Sequence, residues 1–596
     1  MSESDDQSRS AAFTVDPKSD EETRAAPPER LGPDALPRDP VVDTALGSGV
    51  GDEPRRASLG RAATLITVGN LVSRISGFVR VVAVAGALGI AFLGDSYQRA
   101  NEVSNVLFEL LAGGVLFSVL VPGFVELLGG ATRGRRDRST TAAPDNSAAR
   151  QLGSVLATRG AVYVGAIALI GMFGGTWIMQ VLTIGTPEAV RADQVRIGAF
   201  LLWFIMPQLV FYAAGAVASA LLQADHRFLA TSIAPLFNNI VVTITMVVFA
   251  QQHDPAAGLS LTVGEKVLLG GGTLAGTVAM TIVPFVALWN AGLGLRPRWR
   301  TTGLALGRLV RQGAWAAGHV GLNEVLIGAT IILAGRVDGG VIAYQTAFMF
   351  FLLPHALIAY PIFTALFPRL SRLATADDRD GFASELTRGM RLNLLLLPMA
   401  SGLLAVAAGP ALSVVRIGRL DSDGVHLVAA TLAGFLSGLC AFSVFFLLTR
   451  ASYALGDARS PTLVNLGSTA VAVLGMVVVT GFAHGTALLV SFGVIQAVTL
   501  TAGCVVLFGI VRRHVGCPLP VGGALWRTVA FALPAIAAAA WVALAIGWAT
   551  RSHAIAAGVA ASVTGVLVAL VGASVVRTPE LGAATAGVAR RIGRRR

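Results

Sequence analysis

Apolar stretches of about twenty residues recur along this 596-residue chain from Ala62 onward, and no other feature constrains its fold more. Each stretch is long enough to cross the ~30 Å hydrocarbon core of a bilayer as a helix. The composition agrees, since 54% of the residues are hydrophobic and 13% are charged, whereas a soluble domain carries about 25% charged residues. The sequence therefore predicts an all-α integral membrane protein.

We predict about fourteen transmembrane helices. They fall at residues 62–88, 94–128, 153–181, 195–223, 229–251, 267–292, 308–335, 340–367, 387–414, 426–449, 462–483, 487–511, 525–549 and 553–576. The loops on one side of this arrangement are rich in arginine, and the positive-inside rule assigns that side to the cytoplasm. The loop arginines include Arg133, Arg135, Arg136, Arg138, Arg150, Arg296, Arg298, Arg369 and Arg372. Both termini are then cytoplasmic, as an even number of spans requires.

Two polar segments flank the predicted spans. Residues 1–60 hold thirteen Asp and Glu, seven Lys and Arg, and seven Pro. This composition buries too little apolar surface to offset the entropy of folding, so we predict a disordered acidic cytoplasmic tail. Residues 578–596 form a predicted basic cytoplasmic tail.

An internal repeat divides the spans into two lobes. Leu116–Pro122 resembles Ile362–Pro368, 246 residues further on, and the turn Asp225–Arg227 resembles Asp457–Arg459, 232 residues further on. Six spans is an even number, so both lobes enter the membrane from the same side, and a pseudo-two-fold axis along the membrane normal relates them. We predict an N-lobe at 61–292, a C-lobe at 293–511 and an appended helix pair at 512–577.

Ionisable residues inside the first two spans are candidates for function, because charge at membrane depth is costly. Span 1 carries Ser73, Arg74 and Arg80, and at 1.5 Å per residue the two arginines lie roughly 18 and 27 Å from its cytoplasmic end. Span 2 carries a broad polar face at helical spacing. Its members are Asp95, Arg99, Glu102, Asn105 and Glu109. One interpretation is a cavity that binds an anionic head group. The other is a set of ion pairs that locks spans 1 and 2 together.

The predicted C-lobe is poorer in charge. Glu324 in span 7 has no cationic partner within its own helix. With Asn465 in span 11, it is a candidate for coupling to a monovalent cation, although a lone Asn in a helix bundle is more typical of a helix–helix hydrogen bond.

The sequence lacks the motifs of enzyme active sites. It contains no phosphate-binding loop, zinc-protease motif or nucleophile elbow, and its three cysteines lack metal-ligand spacing. We therefore expect a transporter without a cofactor, driven by an ion gradient or the membrane potential, and no nucleic-acid partner.

Several segments resemble, in their order and spacing, the MurJ/MviN family of lipid II flippases. They are Asn70–Arg80, Asp95–Pro122, Gln208–Asn238, Pro354–Pro368 and Arg450–Pro461. The resemblance covers residues 62–576. It implies that the chain flips lipid II, the undecaprenyl-diphosphate-linked disaccharide-pentapeptide, across the bacterial cytoplasmic membrane by alternating access. It also implies that Arg74 and Arg80 are the essential cations of the cavity and that Asp95 is the family's second-helix acid.

The chain departs from this family pattern at three positions. Phe108, Met349 and Leu352 stand where the family has charged residues, and Arg99 is a candidate to replace the first lost charge. Two other functions therefore stay open. One is an ion-coupled exporter of another lipid-linked glycan or of a drug, and the other is a non-transporting scaffold for cell-wall synthesis. Besides membrane lipids, the expected partners include cell-wall synthesis proteins that bind the N-terminal tail.

Overall fold

The computed structural model describes residues 53–110, 147–225, 227–299, 306–416 and 418–576. Within these residues the structure is helical and contains no β-strand. The chain divides into two compact units, Met1–Arg61 and Ala62–Arg596, and the sites below belong to the second. Residues 1–52 of the predicted acidic tail, the motif Leu116–Pro122, most of the arginine-rich loop after it and the predicted basic tail lie outside the described residues.

The helices follow one another in the predicted order, joined mostly by short turns. They are α1 (Glu53–Leu88), α2 (Phe92–Phe108), α3 (Ser147–Phe173), α4 (Gly175–Leu182), α5 (Glu188–Ile205), α6 (Gln208–Ala224), α7 (Phe228–Gln252), α8 (Val263–Asn290), α9 (Leu306–Ala334), α10 (Gly340–Pro354), α11 (Tyr360–Thr375), α12 (Arg379–Val414), α13 (Ser422–Leu436), α14 (Leu439–Ala454), α15 (Arg459–Val479), α16 (Gly485–Val515), α17 (Gly522–Ile546) and α18 (Arg551–Val575). The first helix begins within the stretch predicted to be disordered, where Pro54 suits a first helical turn.

Ten helices of the described residues are long and apolar enough to cross a membrane, or eleven if α13 and α14, which meet at a 46° bend, form one span. Predicted spans 1 and 2 are not in this set, and the second half of predicted span 2 lies outside the described residues. Predicted span 7 corresponds to α9, in which Gly318–Ala334 is a shorter apolar stretch. The polytopic all-α fold is confirmed, and the count of fourteen stays a prediction.

Helices α2 and α10 meet at their first turns, and the meeting points are 246 residues apart. The Asp338 carboxylate accepts a hydrogen bond from the Phe92 N–H at 2.8 Å, and the Asp95 carboxylate accepts one from the Val341 N–H at 3.0 Å. A residue that contacts its own repeat counterpart lies on the two-fold axis that relates the repeats. These two contacts therefore place the axis between the starts of α2 and α10, in agreement with the offset read from the sequence.

Two further features obey the same repeat. A π-helical turn begins at Glu109 after α2 and at His355 after α10, again 246 residues apart. In addition, Asn239 of α7 donates to the Ser73 carbonyl and Asn465 of α15 donates to the His319 carbonyl, each at 3.3 Å. Ser73 and His319 are also 246 residues apart, so an amide in the fifth span of each lobe holds the first span of that lobe.

The last two helices pack against each other and against α12 through small side chains. Ala535, Ala539 and Ala561 are almost completely buried at these contacts. Small residues let helix backbones approach closely, which is the usual way to pack helices in a membrane. The helix pair α17–α18 is therefore attached to the C-lobe through α12.

Candidate functional site

The lobes are joined at one end of the molecule, named here the sealed end and made by Phe92, Asp95, Asp338, Val341 and Arg419. The Asp95 side chain is completely buried there. Its Oδ1 accepts from the backbone N–H groups of Val341 at 3.0 Å and Ile342 at 2.9 Å. The first N–H groups of a helix have no partner within the helix, and its N-terminus attracts negative charge. Asp95 of one lobe thus caps α10 of the other.

Two more contacts close the sealed end. The Arg419 backbone N–H donates to the Gly86 carbonyl at 2.8 Å, and its Nη2 donates to the His253 carbonyl at 3.3 Å. The turn before α10 requires Gly339, which has a φ of +66° and on which a Cβ would overlap the Ile90 carbonyl group. Backbone of one lobe therefore lies directly on backbone of the other at this end.

Arg99 lies one helical turn beyond Asp95 and is completely buried. Its Nη1 donates to Gln194 Oε1, and the Gln194 amide donates to the Phe92 carbonyl at 3.0 Å. Gly335, at the end of α9, leaves the room that this guanidinium occupies. In this conformation Arg99 contacts protein rather than open space, so its proposed role as a replacement head-group ligand stays a prediction.

The polar face of α2 becomes more exposed with distance from the sealed end. Glu102 is half-buried and accepts from Asn105 at 3.2 Å and from Gln345 of α10 at 2.9 Å. Glu109 is exposed. Glu324 of α9 lies close enough to Glu102 and Glu109 for their charges to repel one another. The structure thus brings three of the predicted carboxylates together across the boundary between the lobes.

The two arginines of α1 lie on different sides of the helix, Arg74 on the side of Phe78 and Arg80 toward α2. The Phe78 ring, one turn from Arg74, meets the Phe350 ring of α10 edge-on, with centroids 5.5 Å apart. Arg80 lies near enough to Tyr97 of α2 to interact electrostatically with its hydroxyl, which places it beside the first half of α2 as its depth predicts. The predicted residue Ser73 contributes its carbonyl to the α7 contact.

Neither arginine is neutralised by a carboxylate. Arg74 is exposed and Arg80 is partly buried, and no carboxylate of the described residues lies within 4.0 Å of either guanidinium. The Nε of Arg80 is buried without a hydrogen-bond partner. The interpretation that ion pairs lock spans 1 and 2 together therefore finds no support in the described residues, where both cations lack a carboxylate partner.

Asn465 is buried and its amide donates to Asn323 Oδ1 at 3.1 Å as well as to the His319 carbonyl. This is the helix–helix contact typical of a lone asparagine in a bundle. No group of three or more metal-ligating side chains occurs among the described residues. A role for Glu324 and Asn465 in ion coupling stays a prediction.

Sequence reasoning missed Asp338 and Arg419 of the sealed end, and also Gln194, which donates to the Phe92 carbonyl there. The signal for Asp338 was present, because it precedes the glycine pair at the start of span 8 and stands 246 residues after Phe92. Arg419 and Gln194 carried no such signal, since their partners are distant in sequence.

A family model described as lipid II flippase MurJ matches residues 84–567. A probable lipid II flippase MurJ of Vibrio cholerae is 24% identical over 67% of this chain and 74% of its own length. A lipid II flippase MurJ of Burkholderia cenocepacia is 24% identical over 69% and 76% of the two chains.

Two solved structures have a similar fold. A lipid II flippase MurJ in an inward closed conformation matches with a TM-score of 0.65 at 15% identity, covering 86% of this chain and 98% of its own. An inward-facing multidrug transporter of the MATE family matches with a TM-score of 0.55 at 11% identity, covering 76% and 98%.

Proposed function

This chain belongs to the MurJ family of lipid II flippases, and we propose that it carries lipid II from the inner to the outer leaflet by alternating access. It is a multi-pass protein of the bacterial cytoplasmic membrane and a transporter rather than an enzyme. The observation that carries the proposal is the pair of arginines in α1, Arg74 and Arg80, neither of which has a carboxylate of the described residues within 4.0 Å.

The arginines suit the chemistry of a lipid-linked diphosphate. A guanidinium presents several donors in a fixed plane and binds phosphate oxygens through paired, charge-assisted hydrogen bonds. Without a bound anion, a cation at membrane depth lacks compensation for its lost hydration. Binding of the diphosphate between the lobes supplies that compensation, while the sugars and peptide occupy the polar space beside Glu102 and Asn105.

Alternating access requires the sealed end to separate. We place this end at the outer face of the membrane and both termini in the cytoplasm, because the arginine-rich stretches that follow α8 and end α11 lie at the opposite end. The bonds that must break are few and polar, chiefly those of Asp95, Asp338 and Arg419. The π-helical turns after α2 and α10 supply matched points of bending, since such turns interrupt the regular helical hydrogen bonds.

The driving force is proposed to be a monovalent cation or the membrane potential. Glu102, Glu109 and Glu324 carry the negative charge that a coupling cation needs, and the cation would relieve their mutual repulsion. The N-terminal tail is proposed to bind cell-wall synthesis proteins through its acidic residues.

The test is lipid II flipping by the purified protein in reconstituted vesicles. Arg74→Ala and Arg80→Ala should each lower the rate roughly tenfold or more, because each loses a charge-assisted contact to the diphosphate. Arg150→Ala removes an exposed arginine of α3 and should leave the rate unchanged. Wild-type rates in both α1 variants would contradict the arginine mechanism.

The same vesicles separate the other functions. Flipping of lipid II by the wild-type protein would exclude the non-transporting scaffold. If the wild-type protein did not flip lipid II, the scaffold function would be favoured. Competition by a cationic drug, with none by a diphosphate lipid, would instead indicate a drug exporter of the kind that shares this fold.

A further inference from the structure

A cavity with both polar and apolar walls lies far from the space between the lobes. It has a volume of about 680 Å³ and is formed by the first turns of α12 and the segment Cys517–Pro520 that precedes α17. The cavity is thus at the junction between the C-lobe and the appended helix pair, at the end of the molecule opposite the sealed end. Nothing in the proposed flipping cycle uses it.

The walls of this junction cavity are held in place by the protein itself. Arg391 donates to the Pro520 carbonyl from Nε at 3.1 Å and from Nη2 at 2.8 Å. The Cys517 thiol lies 3.2 Å from Asp380 Oδ1 and donates to it. Leu519 is buried against the C-lobe core. Both sides of the cavity are therefore positioned before any ligand binds.

The cavity offers donors to an anion. Arg388 lines it, is exposed and has no carboxylate of the described residues within 4.0 Å. The Thr387 hydroxyl also lines it and is buried without a hydrogen-bond partner, in a side chain only 7% exposed. A buried hydroxyl without a partner is costly, and a phosphate oxygen would satisfy it.

The acid at the rim does not cancel this positive charge. Asp380 accepts the hydrogen bond from Cys517, and no carboxylate of the described residues lies within 4.0 Å of the Arg388 guanidinium. That hydrogen bond raises the pKa of the Cys517 thiol, so the thiol stays protonated and adds no negative charge. The Arg388 guanidinium therefore stays available to an anion.

The surroundings favour a lipid over a free anion. Thr387 begins the predicted apolar span of α12, and the cavity lining continues to Leu392 within it. On the other side, Leu525 and Trp526 in the first turn of α17 are exposed, and tryptophan is typical of the level where lipid head groups meet the acyl chains. Exposed apolar side chains thus follow the cavity segment Cys517–Pro520 closely in sequence.

We propose that this junction cavity binds the phosphate of an anionic membrane phospholipid, with Arg388 and Thr387 as its ligands and the acyl chains along α12 and α17. Basic pockets between transmembrane helices at the cytoplasmic face bind anionic head groups by the same combination of charge and donors. The lipid would join the helix pair α17–α18 to the C-lobe at its cytoplasmic end.

The test is binding of phosphatidylglycerol to the full-length protein in detergent, followed by native mass spectrometry. Arg388→Glu should weaken binding of one phosphatidylglycerol about tenfold, because it replaces an attractive charge with a repulsive one at the membrane surface. Thr387→Val, which removes only the hydroxyl, should weaken it less. Arg150→Glu makes the same charge change on α3 and should leave binding unchanged.

Two controls identify the ligand. Phosphatidylcholine should not compete, and inorganic phosphate at millimolar concentration should not displace the lipid. Equal phosphatidylglycerol binding by Arg388→Glu and the wild type would overturn the proposal. Displacement by inorganic phosphate would overturn the lipid assignment in favour of a free-anion site. Since binding is measured directly, neither outcome depends on whether the protein flips lipid II.

Discussion

The starts of α2 and α10 are the same structure built from different chemistry. Both helices begin beside the repeat axis and end in a π-helical turn, with corresponding residues 246 positions apart. The corresponding residues nevertheless differ at every position of the polar face that begins in α2. Asp95, Arg99, Glu102, Asn105 and Glu109 correspond to Val341, Gln345, Phe348, Phe351 and His355. The backbone repeats, and the side-chain chemistry does not.

The contact across the axis shows why this difference is tolerated. Asp95 contributes a side-chain acceptor, whereas its counterpart Val341 contributes only a backbone N–H, which any residue except proline supplies. Further along, Phe348 and Phe351 pack in an aromatic cluster with Phe435. One helix carries the polar groups and the other provides backbone donors and an apolar wall, so a symmetric fold yields an asymmetric site.

Removal of the Asp95 carboxylate should weaken the contact between the lobes more than any other change considered below. Asp95→Ala leaves the N–H groups of Val341 and Ile342 without their cross-lobe acceptor. The sealed conformation should lose about 1–3 kcal/mol. Flipping should fall, and hydrogen exchange at the two amides should rise. Asp95→Asn keeps an acceptor oxygen and should lie between the alanine variant and the wild type. Unchanged exchange in Asp95→Ala would show that this cap does not hold the lobes together.

The next largest loss of stability is expected where the backbone at Gly339 lies against the backbone at Ile90. Gly339→Ala forces a Cβ into a left-handed conformation and against the Ile90 carbonyl group. Gly258→Ala is a matched control, since Gly258 also has a positive φ, of +55°, but no atom lies within 4 Å of the added Cβ. Thermal unfolding in detergent should show Gly339→Ala to be less stable than the control by about 2 kcal/mol, the cost of overpacking. Equal losses would mean that backbone strain alone accounts for both.

The sequence predicted the helices better than the contacts between them. Apolar length located predicted spans 3 to 14 to within a few residues at most ends, because span length depends on local composition. The breaks that divide predicted spans 3, 4, 8 and 10 into two helices each were not predicted. The polar face of α2 was also visible from helical spacing. The partner of Asp95 was not visible, because it is a backbone N–H in another lobe and residue type carries no information about it. The environment of Arg99 likewise depends on Gln194 and Gly335, which packing alone brings to it.

The smallest loss of stability is expected for a pair of contacts in which the two lobes share side-chain chemistry as well as backbone structure. Asn239 and Asn465 make equivalent bonds to the Ser73 and His319 carbonyls at the same distance. If both act only in packing, Asn239→Ala and Asn465→Ala should each cost roughly 0.6–1.7 kcal/mol of stability, the range for such bonds between membrane helices. The two losses, measured by thermal unfolding, should then be similar, and flipping should depend on the cation gradient as in the wild type. A loss of that dependence in Asn465→Ala alone would assign the C-lobe asparagine to ion coupling, and the two lobes would then differ in chemistry here too.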